Sequence, residues 1–287
     1  MNFQVMRAVA LGALTFAVSA QFPVEAGKWG QGDGEAGKKE SKWEVEIGAG
    51  AVYGPVYEGS DDMEAQALPF LHLEWNERIF LNPGEGLGVR AYKGENLEVS
   101  LSVGYDEGRD DGDSTDLRGL GDIDGSATGN LSIEYELGPV SPYLELSRQF
   151  GGADGVLAEI GVETMVPLLR RDWERMRSEG AAEGGDERPN GPALMLGIST
   201  TWADDNYMKD YFGVTALQAG RSGLRRYTAG SGFKSADAEI GLMVPIGKHW
   251  SFNVQAEYSQ LLGDAADSPI TRDKSQYSIG SFLSYRF

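Results

Sequence analysis

From Trp43 to the last residue, apolar and polar side chains alternate in short runs broken by Gly, Pro, Asn or Asp. Trp43, Val45, Ile47, Ala49, Ala51 and Tyr53 share one parity, with Glu44 and Glu46 between them. Leu97, Val99, Leu101, Val103 and Tyr105 repeat the pattern against Glu98, Ser100 and Ser102. A period of two belongs to a strand with two unlike faces; a helix needs apolar residues three and four apart. Such runs predict strands at 43–53, 63–75, 79–81, 87–92, 97–105, 123–137, 140–150, 156–168, 192–202, 233–246, 250–261 and 275–287. That is twelve strands, or ten if the short runs at 79–81 and 87–92 are not separate. No second apolar face remains to build the core of a soluble sandwich. The expected fold is therefore all-β, a transmembrane antiparallel β-barrel of even strand number.

Loop lengths orient this barrel. Connections are short at 76–78, 138–139 and 247–249, and long at 106–122, 203–232 and 262–274. Short periplasmic turns and longer outer loops place both termini in the periplasm. The connection 169–191 breaks the rule, being long on the periplasmic side. Trp43, Trp75, Tyr105, Tyr135, Trp202, Trp250 and Tyr285 fall near strand ends on the outward parity, where amphipathic rings settle among headgroups. Tyr285 and Phe287 close the last strand with an outward aromatic, read as the assembly signal by which barrel-assembly machinery takes up the chain.

Ahead of the strands, Arg7, the apolar stretch Ala8 to Val18 and the small-residue pattern Val18-Ser19-Ala20 predict an export signal over 1–20. A second candidate cut follows Ala26. Residues 21–42 are Gly- and charge-rich without periodicity, a flexible periplasmic lead-in to a barrel over 43–287. The expected location is the outer membrane, with its lipid and lipopolysaccharide as surroundings. A count of 0 Cys removes disulfides, thiol catalysis and thiolate metal sites. A net charge of −19 excludes nucleic acid as a partner, which needs a basic surface.

Parity turns many acids inward. Glu98, Asp124, Glu134, Glu145, Glu159, Glu239 and Glu257 are the candidate lumen carboxylates, joined by Glu44, Glu46, Glu74, Glu163 and Asp237. Few bases, such as Arg90, share that face. Unpaired burial would cost several kcal/mol per ion. The lumen is then partly wet, or Arg221, Arg225, Arg226 and Lys234 fold in from a loop to neutralise it. One outcome is a narrow cation-preferring pore. The other, which the small bore of a ten- to twelve-strand wall favours, is a closed barrel filled by polar networks. The two histidines, His72 and His249, lie too far apart in this barrel to share a metal; Ser100 and Ser102 could neighbour His72 across the wall, but nothing in the spacing selects them for a triad. Asp110, Asp111, Asp113 and Asp116 lack the spacing of a defined calcium loop and read as a solvated acidic outer loop. No nucleotide motif is present, and the residues imply neither a cofactor nor an enzyme.

Several segments exceed generic barrel character: Gly54-Pro55-Val56-Tyr57-Glu58-Gly59-Ser60-Asp61-Asp62, Gly104-Tyr105-Asp106-Glu107-Gly108-Arg109-Asp110, Leu117-Arg118-Gly119-Leu120-Gly121-Asp122-Ile123, and Asp205-Asn206-Tyr207-Met208-Lys209-Asp210-Tyr211-Phe212-Gly213-Val214. With the Tyr-Arg-Phe ending, the chain from about Trp43 to Phe287 resembles the MipA/OmpV family of outer-membrane proteins, the MltA-interacting group. The resemblance implies a non-enzymatic scaffold for murein metabolism, bridging a lytic transglycosylase to a peptidoglycan synthase. It also implies, for other members, osmotic adaptation, antibiotic passage or host adhesion. On this reading the periplasmic face docks the enzyme, and Arg170, Arg171, Trp173, Arg175 and Arg177 form the candidate patch, since Arg and Trp dominate interface energetics. A cation-preferring channel for small solutes, or a surface adhesin using the acidic outer loops, are the alternatives.

Overall fold

The computed structural model of the chain describes residues 43–170 and 191–287. Twelve antiparallel strands close into one barrel, each paired with its sequence neighbours and the first with the last. They are β1 (Trp43–Pro55), β2 (Met63–Trp75), β3 (Ile79–Asn82), β4 (Gly86–Lys93), β5 (Leu97–Asp106), β6 (Ser126–Tyr135), β7 (Val140–Gly151), β8 (Val156–Pro167), β9 (Ala193–Ala203), β10 (Gly232–Ile246), β11 (Trp250–Leu261) and β12 (Ser275–Arg286). Among the described residues three helices lie in the connections: α1 (Asp205–Phe212), α2 (Ala216–Ser222) and α3 (Gly263–Ala266). The predicted export signal, the lead-in, and Arg171, Trp173, Arg175 and Arg177 lie outside the described residues.

The wall obeys the alternation. Ile47, Leu71, Leu101, Ile160, Ile198, Ile240, Ile279 and Leu283 all stand exposed on the outer surface. Such a continuous apolar band needs lipid around it. Aromatic rings flank it, with Trp43, Tyr92, Tyr135, Trp250 and Phe287 at one end and Tyr53, Tyr105, Phe150, Phe233 and Tyr277 at the other.

Closure is a β1–β12 seam running from Glu46↔Arg286 to Tyr53↔Ile279. Inside it, Arg286 lies 3.1 Å from Glu44 and 3.3 Å from Glu46. Ser284 donates a further hydrogen bond to Glu46. The penultimate residue thus ties the last strand to the first through two buried acids.

Two strands depart from the others. β3 has 4 residues, and its last rung with β4 is Asn82↔Gly86. β2 meets β3 at only Leu73, Glu74 and Trp75, although it pairs with β1 along its full length to Met63. The short runs at 79–81 and 87–92 are therefore separate strands, but their hairpin stops part-way up the wall. A second correction concerns Asp124: β6 begins at Ser126 rather than Ile123, because Ile123 is held instead by an antiparallel bridge to Arg109 in the preceding loop.

Candidate functional site: a capped lumen with two unlike walls

The long connections do not stream into solvent; they fold over the mouth as a cap. α1 is capped by Asp204, whose carboxylate accepts from the Tyr207 backbone N–H at 2.9 Å. Its apolar residues Tyr207, Met208, Tyr211 and Phe212 sit one helical turn apart on one side, and all are buried. They pack with Ala153, Ala203, Leu261 and Ala265 into one cluster. A second cluster joins four connections: Val56 and Tyr57, Leu117 and Leu120, Val214, and Ile270. α2 is held by a capping box of Thr215 and Gln218, and the Gln218 side-chain amide also donates to the Leu120 carbonyl at 2.7 Å.

Polar contacts tie the cap to the wall. Buried Lys234 pairs with half-buried Glu58, and the Tyr207 hydroxyl donates to the same carboxylate at 3.2 Å. Tyr211 stacks on Tyr207 with ring centroids 4.4 Å apart and donates to Asp106 at 2.8 Å. Arg109, 4% exposed, donates to the Tyr211 carbonyl at 2.8 Å. Burial pushes the Tyr207 and Tyr211 phenols well above their ordinary range, with the Glu58 and Asp106 carboxylates adding to it. Both phenols therefore remain donors at any physiological pH. Of the four basic residues expected to fold inward, Lys234 does so; Arg221, Arg225 and Arg226 stay exposed.

Below the cap the lumen has two unlike walls. On the β1–β5 side the acids are paired: Arg90 lies 3.0 Å from Glu74 and 2.8 Å from Glu98, His72 lies 3.7 Å from Glu74, and Arg286 serves Glu44 and Glu46. On the β6–β11 side stand Glu134, Glu145, Glu159, Glu163, Asp237, Glu239 and Glu257, all half-buried. Tyr143 donates to Glu159 at 2.7 Å. Among the described residues no Lys or Arg makes an ion pair with Glu163, Glu239 or Glu257. Glu58, Tyr143, Glu159, Glu163, Asp237, Glu239 and Glu257 surround a cavity of about 70 Å³, enough for a few waters or a small cation. Asp124 is not among them; it lies exposed in the β5–β6 connection, above the wall.

The remaining candidates are scattered. Arg170 is exposed just past the end of β8. His249 sits in the β10–β11 turn, its Nδ1 2.9 Å from the Arg286 carbonyl, while His72 is buried on the inner face of β2. Asp110, Asp111 and Asp122 bring carboxylate oxygens within 4.8 Å of one another. All three cap backbone N–H groups, Asp110 that of Gly112, Asp111 that of Gly119 and Asp122 that of Asp111, which accounts for their clustering. Sequence reasoning missed the cap helix, the Lys234–Glu58 pair and the Arg286 seam. The signal for α1 was present: Tyr207, Met208, Tyr211 and Phe212 follow a helical rather than a strand period.

Residues 47–287 match the family described as MltA-interacting protein MipA. The chain belongs to this family. Similar relatives carry names that fit the wall described above. Outer membrane protein OmpV of Vibrio cholerae is 24% identical over 288 residues, covering 97% of this chain and 94% of that protein. Putative outer membrane protein YiaT of Escherichia coli is 26% identical over 95 residues, 33% of this chain and 38% of that one. Solved structures similar to this chain include OmpT of Vibrio cholerae, at 9% identity and a TM-score of 0.36 over 87% of this chain and 99% of that one. The translocator domain of the autotransporter NalP of Neisseria meningitidis gives 10% identity and a TM-score of 0.36, over 87% of this chain and 90% of that one. The protein is thus an outer-membrane β-barrel of the MipA/OmpV family.

Proposed function

We propose that this barrel is a non-enzymatic scaffold whose periplasmic face docks a murein enzyme, a lytic transglycosylase with its peptidoglycan synthase. The observation that carries this reading is the sealed outer mouth. A cap with two buried apolar clusters closes over the mouth, which argues against free axial diffusion and for a role played at a face of the barrel. The description of the matched family as MltA-interacting points to the same class of partner. The docking patch would be Arg170, Arg171, Trp173, Arg175 and Arg177, on the long β8–β9 connection. Tyr285 and Phe287 would engage the assembly machinery before that surface exists. The experiment is co-purification of a lytic transglycosylase with the detergent-solubilised barrel. Replacing the four arginines by Ser and Trp173 by Ala should weaken capture about tenfold or more, as loss of hot-spot residues does. Undiminished capture by that variant would refute the patch.

A second reading, a narrow cation-preferring path, is favoured by one specific observation. Glu163, Glu239 and Glu257 line the lumen without ion-pair partners among the described residues. Together with Glu98, Glu134, Glu145 and Glu159, they would select for cations. Planar-bilayer recording tests this reading.

A further inference from the structure

The stunted β3–β4 hairpin leaves a gap in the wall at membrane depth. β2 runs ten residues past its last rung with β3, from His72 up to Met63. β5 continues to Asp106 above its last rung with β4, Leu87↔Val103. The gap spans three inter-strand steps, roughly 14 Å. Its sill is the turn from Asn82 to Gly86, closed by reciprocal Asn82–Glu85 hydrogen bonds of 3.0 and 2.7 Å. Its lintel is the β5–β6 connection, which crosses to the β1–β2 loop through Ser114–Asp62 and to the β11–β12 loop through Arg272–Asp116. An irregular turn at that depth is tolerated only beside water or protein, and a free strand edge facing lipid is costly.

What lies inside the gap is specific. Along β2, Glu74 and His72, the first residue past the last rung, are buried, yet the inward residues Leu68 and Phe70 further up are only half-buried. Phe70 meets Phe282 of β12 at 6.4 Å, so an apolar lining begins at the jamb. Six strands away around a twelve-strand ring stand β9 and β10, with β8 and β11 beside them. The far wall is therefore the one bearing Glu159, Glu163, Asp237, Glu239 and Glu257 around the cavity. Ser278, paired across strands with Glu257 and 6% exposed, has a hydroxyl with no partner.

We propose that this gap is a lateral portal between the outer leaflet and the lumen, and that it admits a single-tailed amphipathic cation. The tail lies along Leu68, Phe70 and Phe282, and the ammonium group faces Glu239 and Glu257, with Ser278 as a further acceptor. The cap closes the axial exit, so the leaflet is the way in. This proposal stands independently of the scaffold reading, because it concerns the wall and not the periplasmic face.

The absence of native cysteine allows a direct test. Leu68→Cys, the outward control Ala67→Cys and the inward control Ser147→Cys, behind intact wall, are reconstituted in liposomes and treated with a membrane-dissolved N-hexadecylmaleimide. Each variant is first checked for heat-modifiable gel mobility, and the inward but non-portal Ser147→Cys sets the baseline for a closed wall. Leu68→Cys should label within about threefold of Ala67→Cys, and Ser147→Cys roughly tenfold more slowly. Dodecylamine should protect Leu68→Cys, dodecanoate should not, and adding Glu239→Gln with Glu257→Gln should abolish the protection. Labelling of Leu68→Cys as slow as that of Ser147→Cys would overturn the portal. Equal protection by amine and carboxylate would overturn the cation preference.

Discussion

Lys234 and Glu58 lie 176 positions apart in the chain and meet under the cap, at 7% and 10% side-chain exposure. Taking away one partner leaves the other charge mostly withdrawn from solvent beside the small cavity, a loss of up to about 3–5 kcal/mol. Lys234→Met should therefore loosen the β9–β10 connection without melting the barrel. Limited proteolysis at 204–231 reads that loosening, and Lys234→Met with Glu58→Leu should recover most of the protection. The exposed Lys209–Asp205 pair on α1 makes the contrast, since its loss should pass unnoticed. Tyr57 carries a pH prediction in the same cap. It is 1% exposed and donates to the Ile270 carbonyl at 3.1 Å. Burial, with Asp116 adding to it, pushes its phenol from 10.0 up to about 12. Below pH 10 the folded and unlatched forms both keep the proton and the contribution is whole. Above pH 10 the unlatched phenol ionises first, so the stabilisation is lost as pH rises through about 12. Tyrosinate absorbance of wild type against Tyr57→Phe should show this step, and the variant's cap should open with a flatter alkaline limb.

Among the elements, the β3–β4 hairpin rests on one residue. Gly86 has φ +80°, and a Cβ there would stand 2.2 Å from the Val103 carbonyl oxygen. Gly86→Val meets both obstacles and should cost about 1–3 kcal/mol in backbone strain alone. The expected readout is a lowered temperature for loss of heat-modifiable mobility, while Gly138→Val, in a turn with open space around it, should lose less. The strands themselves were legible because lipid on one side and water on the other force every second residue to be apolar. Strand ends followed less well: Ile123 continued the alternation of β6 in sequence, yet a bridge to Arg109 claims it for the loop. The cap helix was hidden by its surroundings, a Gly-rich connection whose length and charge suggest a loose outer loop. Its burial depends on Ala153, Leu261 and Ala265 from distant parts of the chain, a convergence that no local pattern contains. The depth of the β3–β4 turn was likewise invisible, since register, and not run length, decides where a hairpin stops in a barrel.

At the scale of the whole molecule, the barrel combines a paired wall, an unpaired acidic wall and a lid. The basic groups Arg90 and Arg286 are spent on the β1–β5 side. The acids on β6–β11 are half-buried and face a space large enough for a few waters. That arrangement is stable only while some water remains, because several kcal/mol per ion would otherwise oppose folding. Water in the lumen is not conduction, however, as the cap closes the outer mouth with stacked Tyr207 and Tyr211 and the Lys234–Glu58 pair. The intact protein should therefore be silent in planar bilayers despite migrating as a folded barrel. Replacing residues 205–231 by a short Gly-Ser linker removes α1 and α2 and leaves the twelve strands and their turns in place. That variant should give steps selective for cations, and Glu239→Gln with Glu257→Gln should reduce the selectivity by neutralising the wall nearest the cavity. Conductance in the intact chain would mean that the cap opens readily on its own. Silence in the linker variant, with heat-modifiable mobility retained, would place the barrier in the periplasmic half, where Arg286, Glu44, Glu46 and Glu74 crowd the seam.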